Sequence, residues 1–289
     1  MQLRRIVIVF LAHALVVGAF AGNAEIPVPA PGEPERIAML EAFVYKPNGP
    51  GPFPVLILNH GSAGGMPQES IAWKRDAAYW SQRGYLVVAP MRRGRGKSSG
   101  TSLESEDKNC KVSEWFNTLP QSLQDLDAVI EFAEKIPEAI AGAVTMIGVS
   151  RGGFLSVAYA AEGRHRSKVR SVVNLVGGWV AQAEDQCAQD FNAIAFERYG
   201  RQTRTPMLWL YGTGDLFYGD ASVSEYADTF KKSGGIADFR LIEGVPENGH
   251  WLPRYPAKWR KLVDDFLHTT NAALPKPSPD VAAPFHGLR

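Results

Sequence analysis

The sequence predicts an α/β fold in which helices cover both faces of a mostly parallel sheet, and three observations carry that expectation. Short apolar runs at residues 55–58, 85–89, 144–147, 172–175 and 207–211 have the length and near-continuous hydrophobicity of strands buried on both faces. Stretches at 70–82, 121–135, 154–161 and 222–232 lie between them and suit helices, so strand and helix alternate as in βαβ units. The 289 residues are 45% hydrophobic and 21% charged with a net charge of +1, an ordinary globular composition that gives no basic bias toward nucleic acid. That length suffices for one domain with a large core, expected over residues 41–270, and no internal repeat divides it.

At the N-terminus, Arg4 and Arg5 precede an apolar run at 6–18 that is short for a membrane span, and Ala19, Phe20 and Ala21 put small residues where a signal peptidase reads. Residues 1–21 are therefore expected to be a secretory leader, cleaved after Ala21 or alternatively after Ala24. An uncleaved anchor is the competing reading. Cleavage leaves an exported protein, periplasmic or extracellular, with no lasting membrane insertion. Residues 22–40 follow as an extended segment, of which 24–34 read as poorly ordered.

The first core strand, 54–58, runs into Asn59, His60, Gly61, Ser62, Ala63, Gly64 and Gly65. Small residues let such a loop bring its backbone close to a bound carbonyl, and the N–H of Ser62, with Ala63 as the neighbouring alternative, is a candidate oxyanion donor. His60 reads as a brace for the loop rather than as a base. The second strand leads into PMRRGRGKSSG at 90–100. Gly96, Lys97 and Ser98 imitate the end of a phosphate-binding loop, but the glycine required five residues before Gly96 is Met91, which excludes nucleotide binding. Arg92, Arg93, Arg95 and Lys97 read as a solvated basic loop, with attraction of an anionic substrate as the alternative.

The third strand, ending at Ile147, enters Gly148, Val149, Ser150, Arg151, Gly152 and Gly153. A serine flanked by glycines between a strand and a helix is the pattern of a nucleophile elbow, where the sharp reversal leaves no room for neighbouring Cβ atoms. The apolar stretch after it forms the helix whose positive N-terminal end lies under an oxyanion, with the N–H of Arg151 as the other candidate donor.

A serine alcohol needs a base and an acid to act as a nucleophile at neutral pH. The strand at 206–211 is followed by Gly212, Thr213, Gly214 and Asp215, which makes Asp215 the expected acid and Asp220 the fallback. The strand at 238–242 leads into a loop that reaches His250 before a helical stretch at 257–268. Of the six histidines, His13 lies in the leader, His60 in the glycine loop, His165 in an exposed basic run, and His268 and His286 near the C-terminus. His250 alone has the position of a base oriented by Asp215.

Cys110 and Cys187 fall in segments expected above the C-terminal side of the sheet. Export places them in an oxidising compartment, so a disulfide over the site is expected, against the alternative of two separate thiols. The insertion at 177–205 carries Trp179, Phe191, Phe196 and Tyr199, either as a lid lining a pocket or as rings that pack the insertion onto the sheet. Residues 271–289, with Pro275, Pro277, Pro279 and Pro284, read as a Pro-rich tail.

HGSAGG, the PMRRGRGKSSG loop, GVSRGG, YGTGD and NGHW stand in the order found in α/β-hydrolases. Over residues 41–267 the chain resembles the dienelactone hydrolase and prolyl oligopeptidase (S9-like) group of that superfamily. Dienelactone hydrolases use a cysteine nucleophile where this chain has Ser150, so the expected reaction is hydrolysis of carboxylic esters through an acyl-enzyme. Ser150, Asp215 and His250 form the catalytic set, Arg151 and Ser62 the oxyanion hole, and the mechanism requires no metal or cofactor. The partner is a small-molecule ester or a short peptide. A peptidase of prolyl oligopeptidase type and a non-catalytic binding protein that kept the fold are the alternatives, and acyl transfer shares the same intermediate.

Overall fold

A computed structural model describes residues 19–30, 33–62, 69–103, 112–179 and 186–271. Six strands run parallel: β3 (Phe53–Asn59), β4 (Leu86–Pro90), β5 (Ala139–Val149), β6 (Val169–Leu175), β7 (Met207–Gly212) and β8 (Ala237–Ile242). β2 (Glu33–Lys46) pairs antiparallel with β4, and β1 (Ala19–Ala30) antiparallel with β2, which completes the sheet order β1-β2-β4-β3-β5-β6-β7-β8. Every residue of β3 and of β4 is buried, which is why these strands read as unbroken apolar runs.

The helices are α1 (Lys74–Ser81), α2 (Val112–Glu134), α3 (Arg151–Glu162), α4 (Gln186–Gln202), α5 (Asp220–Lys232) and α6 (Pro256–Thr270). The chain steps from β3 outward to β4 and then crosses back to β5 on the other side of β3. Right-handed crossovers therefore set α1 on one face and α2 and α3 on the other. α6 joins the face of α1 through the Arg260–Asp76 ion pair and the bond from Tyr79 to Asp264. The loops leaving the C-terminal ends of β3 and β5 part at this reversal, the position where open α/β sheets bind ligands.

Several expectations are corrected. Of the stretch 24–34, residues 24–30 are not loose: β1 pairs with β2 in the register Ala24↔Ala42, Ile26↔Leu40 and Val28↔Ala38, and these alternating residues, Ala24 partly, are covered by the core. The sheet thus takes in residues ahead of position 41. α1 begins at Lys74 because Trp73 takes a left-handed backbone conformation (φ 51°) that a helix cannot include. α2 starts well before 121 and contains Pro120, whose lost N–H bond is offset by packing such as Phe116 against Phe191, with ring centroids 4.9 Å apart.

In the 177–205 insertion the aromatic side chains turn inward. Phe154 of α3 is surrounded by Trp179, Phe191, Phe196 and Tyr199 at 5.2–6.1 Å between centroids. All of them are buried, so they anchor α4 to the core rather than line an open pocket. Residues 1–18 of the expected leader, the Pro-rich segment from 272 onward, Ala63 to Gly65 and Cys110 lie outside the described residues, and of Cys187 only the backbone, within α4, is described. Among the described residues, no helix is long and apolar enough to cross a membrane.

Candidate active site

Ser150 sits between β5 and α3 with φ 52° and ψ −123°, a conformation that costs about 1–3 kcal/mol and holds the side chain clear of the turn. The glycines around it are dictated by contact. A Cβ at Gly148 would lie 2.1 Å from the Gly152 carbonyl oxygen, and one at Gly152 would lie 2.4 Å from that of Asn59. The elbow is tied to the sheet by the Ser150 N–H, which donates to Leu175 at 2.8 Å.

The three residues expected to act together are brought together. His250 Nε2 lies 3.1 Å from Ser150 Oγ, and His250 Nδ1 lies 2.8 Å from Asp215 Oδ2. A carboxylate only accepts, so Nδ1 carries the proton and Nε2 is left to accept from the serine. Asp215 is buried, and its other oxygen accepts the N–H groups of Phe217 at 2.7 Å and Tyr218 at 3.1 Å. These bonds fix the carboxylate while its Oδ2 faces the imidazole. Asp220 is turned elsewhere and accepts the Gly214 N–H at 2.9 Å.

The loops that carry acid and base are pressed onto each other. A Cβ on Gly212 would lie 2.4 Å from the Gly249 carbonyl oxygen, and one on Gly249 would lie 2.3 Å from that of Gly212. Asn248 adds a link that sequence reasoning missed, because its Oδ1 accepts N–H groups from both loops. Its only signal was an Asx residue two positions ahead of His250, the spacing of an Asx turn. Phe217 was missed as well; its ring lies 4.6 Å from the imidazole.

The loop after β3 runs beside the serine, since a Cβ on Gly61 would stand 3.4 Å from that of Ser150. Arg151 opens α3, where backbone N–H groups have no intrahelical acceptor, and its side chain reaches Ser62 Oγ at 3.4 Å. The two residues assigned to the oxyanion hole therefore face each other across the elbow. The Arg151 guanidinium also donates to the Trp179 carbonyl at 3.0 Å and lies 5.0 Å over that ring.

His60 braces its loop, as expected: Nδ1 donates to the Gly61 carbonyl at 2.6 Å, and Nε2 accepts the Arg92 N–H at 2.9 Å. The basic loop is not a solvated patch. Arg92 donates to the carbonyls of His60 and Gly61, Arg93 is buried in an ion pair with Asp125, and Arg95 is buried too. The chemistry of the loop is that of a clamp under the glycine loop, with Lys97 left as its exposed cation. His165 pairs with Glu131 at 2.7 Å, away from the site. Among the described residues no cluster of His, Cys, Asp and Glu is arranged to hold a metal ion.

The family model of the X-Pro dipeptidyl-peptidases (S15 family) matches residues 38–185, a span that includes the glycine loop and Ser150 and ends ahead of Asp215 and His250. A Methylorubrum extorquens protein named as a carboxymethylenebutenolidase is 25% identical over 261 residues, which cover 86% of this chain and 81% of that protein. An esterase of Pyrococcus furiosus has a similar structure, with a TM-score of 0.60 at 15% identity over 86% of this chain and 90% of its own. The acylaminoacyl peptidase of Pyrococcus horikoshii gives 0.62 at 16% identity over 86% of this chain and 42% of its own. At such identities the structural likeness speaks for the fold alone.

Proposed function

The chain belongs to the X-Pro dipeptidyl-peptidase (S15) family, within the α/β-hydrolases, and from that premise we propose that it is a serine hydrolase that cleaves carboxylic esters through an acyl-enzyme. The observation that carries the reading is a single imidazole bonded on one side to Ser150 Oγ at 3.1 Å and on the other to a buried carboxylate, Asp215, at 2.8 Å.

In the reaction His250 Nε2 takes the Ser150 proton as Oγ bonds to the carbonyl carbon, and the C=O π pair moves to the oxygen. The N–H groups of Arg151 and Ser62 hold that oxyanion, while Asp215 stabilises the imidazolium. Collapse expels the alcohol, which takes the proton from His250. Water activated by the same imidazole then releases the acid and restores Ser150.

Names among the relatives support an ester substrate: one is an esterase and another a butenolidase. A peptide substrate is the second reading, favoured by the S15 match. Hydrolysis of p-nitrophenyl esters from acetate to decanoate, beside X-Pro p-nitroanilides, separates the two. Ester turnover that disappears in Ser150→Ala supports the first reading; turnover of the anilides alone supports the second; an inert wild-type chain overturns both.

The leader and the two cysteines complete the proposal. The protein is exported with cleavage after Ala21 or Ala24, and Cys110 and Cys187 are bonded. Mass spectrometry of the exported chain checks both at once, and an intact Met1 or two free thiols in the unreduced protein would refute the corresponding part.

A further inference from the structure

Arg151 is 9% exposed at the start of α3, next to the nucleophile, and its side chain does not run out to solvent. The guanidinium turns across the elbow instead. Its Nε donates to the Trp179 carbonyl at 3.0 Å and its Nη1 to Ser62 Oγ at 3.4 Å, while the group lies 5.0 Å over the Trp179 ring. The Trp179 end is anchored: that residue is 1% exposed, its N–H donates to Asn192 Oδ1 at 2.9 Å, and its ring lies 5.7 Å from that of Phe154, one turn further along α3. The Ser62 end belongs to the glycine loop, which Arg92 also grips through the carbonyls of His60 and Gly61. A loop of small residues has little side-chain packing of its own, so bonds of this kind set where its backbone lies.

We propose that the Arg151 side chain is a positioning residue: it spans from Trp179 to Ser62 and fixes the separation of the two oxyanion donors, one of which is its own backbone N–H and the other that of Ser62. The inference rests on the serine-hydrolase reading and on those two N–H groups as the donors. A donor aimed at charge that develops during the reaction works only when it is held in place beforehand. A drift of about 1 Å in such a group can cost on the order of 100-fold in rate. A guanidinium suits the span because its donors lie in one rigid plane, so Nε and Nη1 meet two acceptors at once. An ammonium at the same position would be a single point on a flexible stem and would meet one of them or the other. Because the oxyanion forms only after Ser150 Oγ has bonded to the carbonyl carbon, the side chain acts on the transition state and leaves binding of the ester nearly untouched.

The test is a cycle of three variants: Arg151→Met, which keeps the apolar stem and removes the donors, Ser62→Ala, which removes the acceptor and leaves the backbone N–H in place, and the two together. Kinetics on p-nitrophenyl butyrate are read beside inhibition by a trifluoromethyl ketone, to whose carbonyl carbon Ser150 Oγ adds while the π pair moves to the carbonyl oxygen and the serine proton to His250. Arg151→Met is expected to lower kcat roughly 10- to 100-fold and Ser62→Ala roughly 5- to 20-fold, each with KM within about threefold and the ketone weakened by the same factor as kcat. The double variant should match Arg151→Met within about threefold, because both substitutions cut the same bond. Losses that multiply in the double variant, or a kcat unchanged in Ser62→Ala, overturn the proposal. Should Arg151→Met melt early, Ser62→Ala decides by itself at an unchanged melting temperature, and a ketone that binds it as tightly as wild type overturns the proposal in its turn. Wild type that neither turns over the ester nor responds to the ketone sinks the serine-hydrolase reading instead, so the two failures are distinguishable.

Discussion

Asn248 holds His250 by the backbone: its side-chain Oδ1 accepts the His250 N–H at 2.9 Å and, at 3.0 Å, the N–H of Leu216, the neighbour of Asp215. One oxygen thus sets the spacing between the acid's loop and the base's. Asn248→Ala leaves both amides without that acceptor and is expected to lower stability by about 1–3 kcal/mol. Misplacement of the imidazole should reduce kcat roughly 10- to 100-fold with little change in KM. Ester kinetics beside a thermal melt check both effects, and an unchanged kcat would remove the positioning role.

The ion pair between Arg93 and Asp125 is shielded from water, with side chains 1% and 8% exposed. Removing either partner strands the other charge, so Arg93→Ala or Asp125→Ala should cost about 3–5 kcal/mol. Replacing both by Met and Leu should recover most of that loss. The melting temperatures of the three variants decide it. Discrimination between acidic and neutral esters should not respond, because Arg93 is buried away from solvent.

Burial and a bond to Asp264 push Tyr79 up to about 12, against the opposing charges of Arg83 and Arg260. The folded chain therefore retains a proton between pH 10 and about 12 that the unfolded chain has released. Its contribution to stability is complete below the unfolded value and is lost as pH rises through the folded one. Urea midpoints should thus decline across that interval, and Tyr79→Phe should make the decline shallower. A slope identical in the two proteins would contradict the assignment.

Around His250 the rim is apolar: Phe217 lies 4.6 Å from its ring, Trp251 lies 6.1 Å away, and Leu216 is 68% exposed. In the proposed reaction the leaving group takes its proton from His250 and so departs along this rim. Phenyl esters should react better than methyl esters of the same acid, and Phe217→Ala should lower kcat/KM roughly 5- to 30-fold for the phenyl ester alone. Equal losses on both esters would assign Phe217 to holding the imidazole instead.

The central strands and the positions of Ser150, Asp215 and His250 were legible because their causes are local. Strands buried on both faces read as apolar runs, and each of the three residues lies in a turn that glycines mark. β1 was illegible for a physical reason: Pro27 and Pro29 argue against a strand, yet β1 is an edge strand, where a missing donor is tolerated. The alternation of Ile26 and Val28 was the signal that outweighed them. The burial of Arg93 could not be read because its partner Asp125 is 32 positions away, on a helix whose placement only the fold determines.

The contact between Gly212 and Gly249 also sets what can be recombined. A peptide that must clear another at this distance accepts no side chain and little change of path, so a loop taken from a relative fits after β7 only if the loop after β8 comes with it. Asp215 and His250 form a cassette that is transplanted whole, and the elbow with Ser150, pressed in the same way on the peptides of Asn59 and His60, forms a second one with the loop after β3.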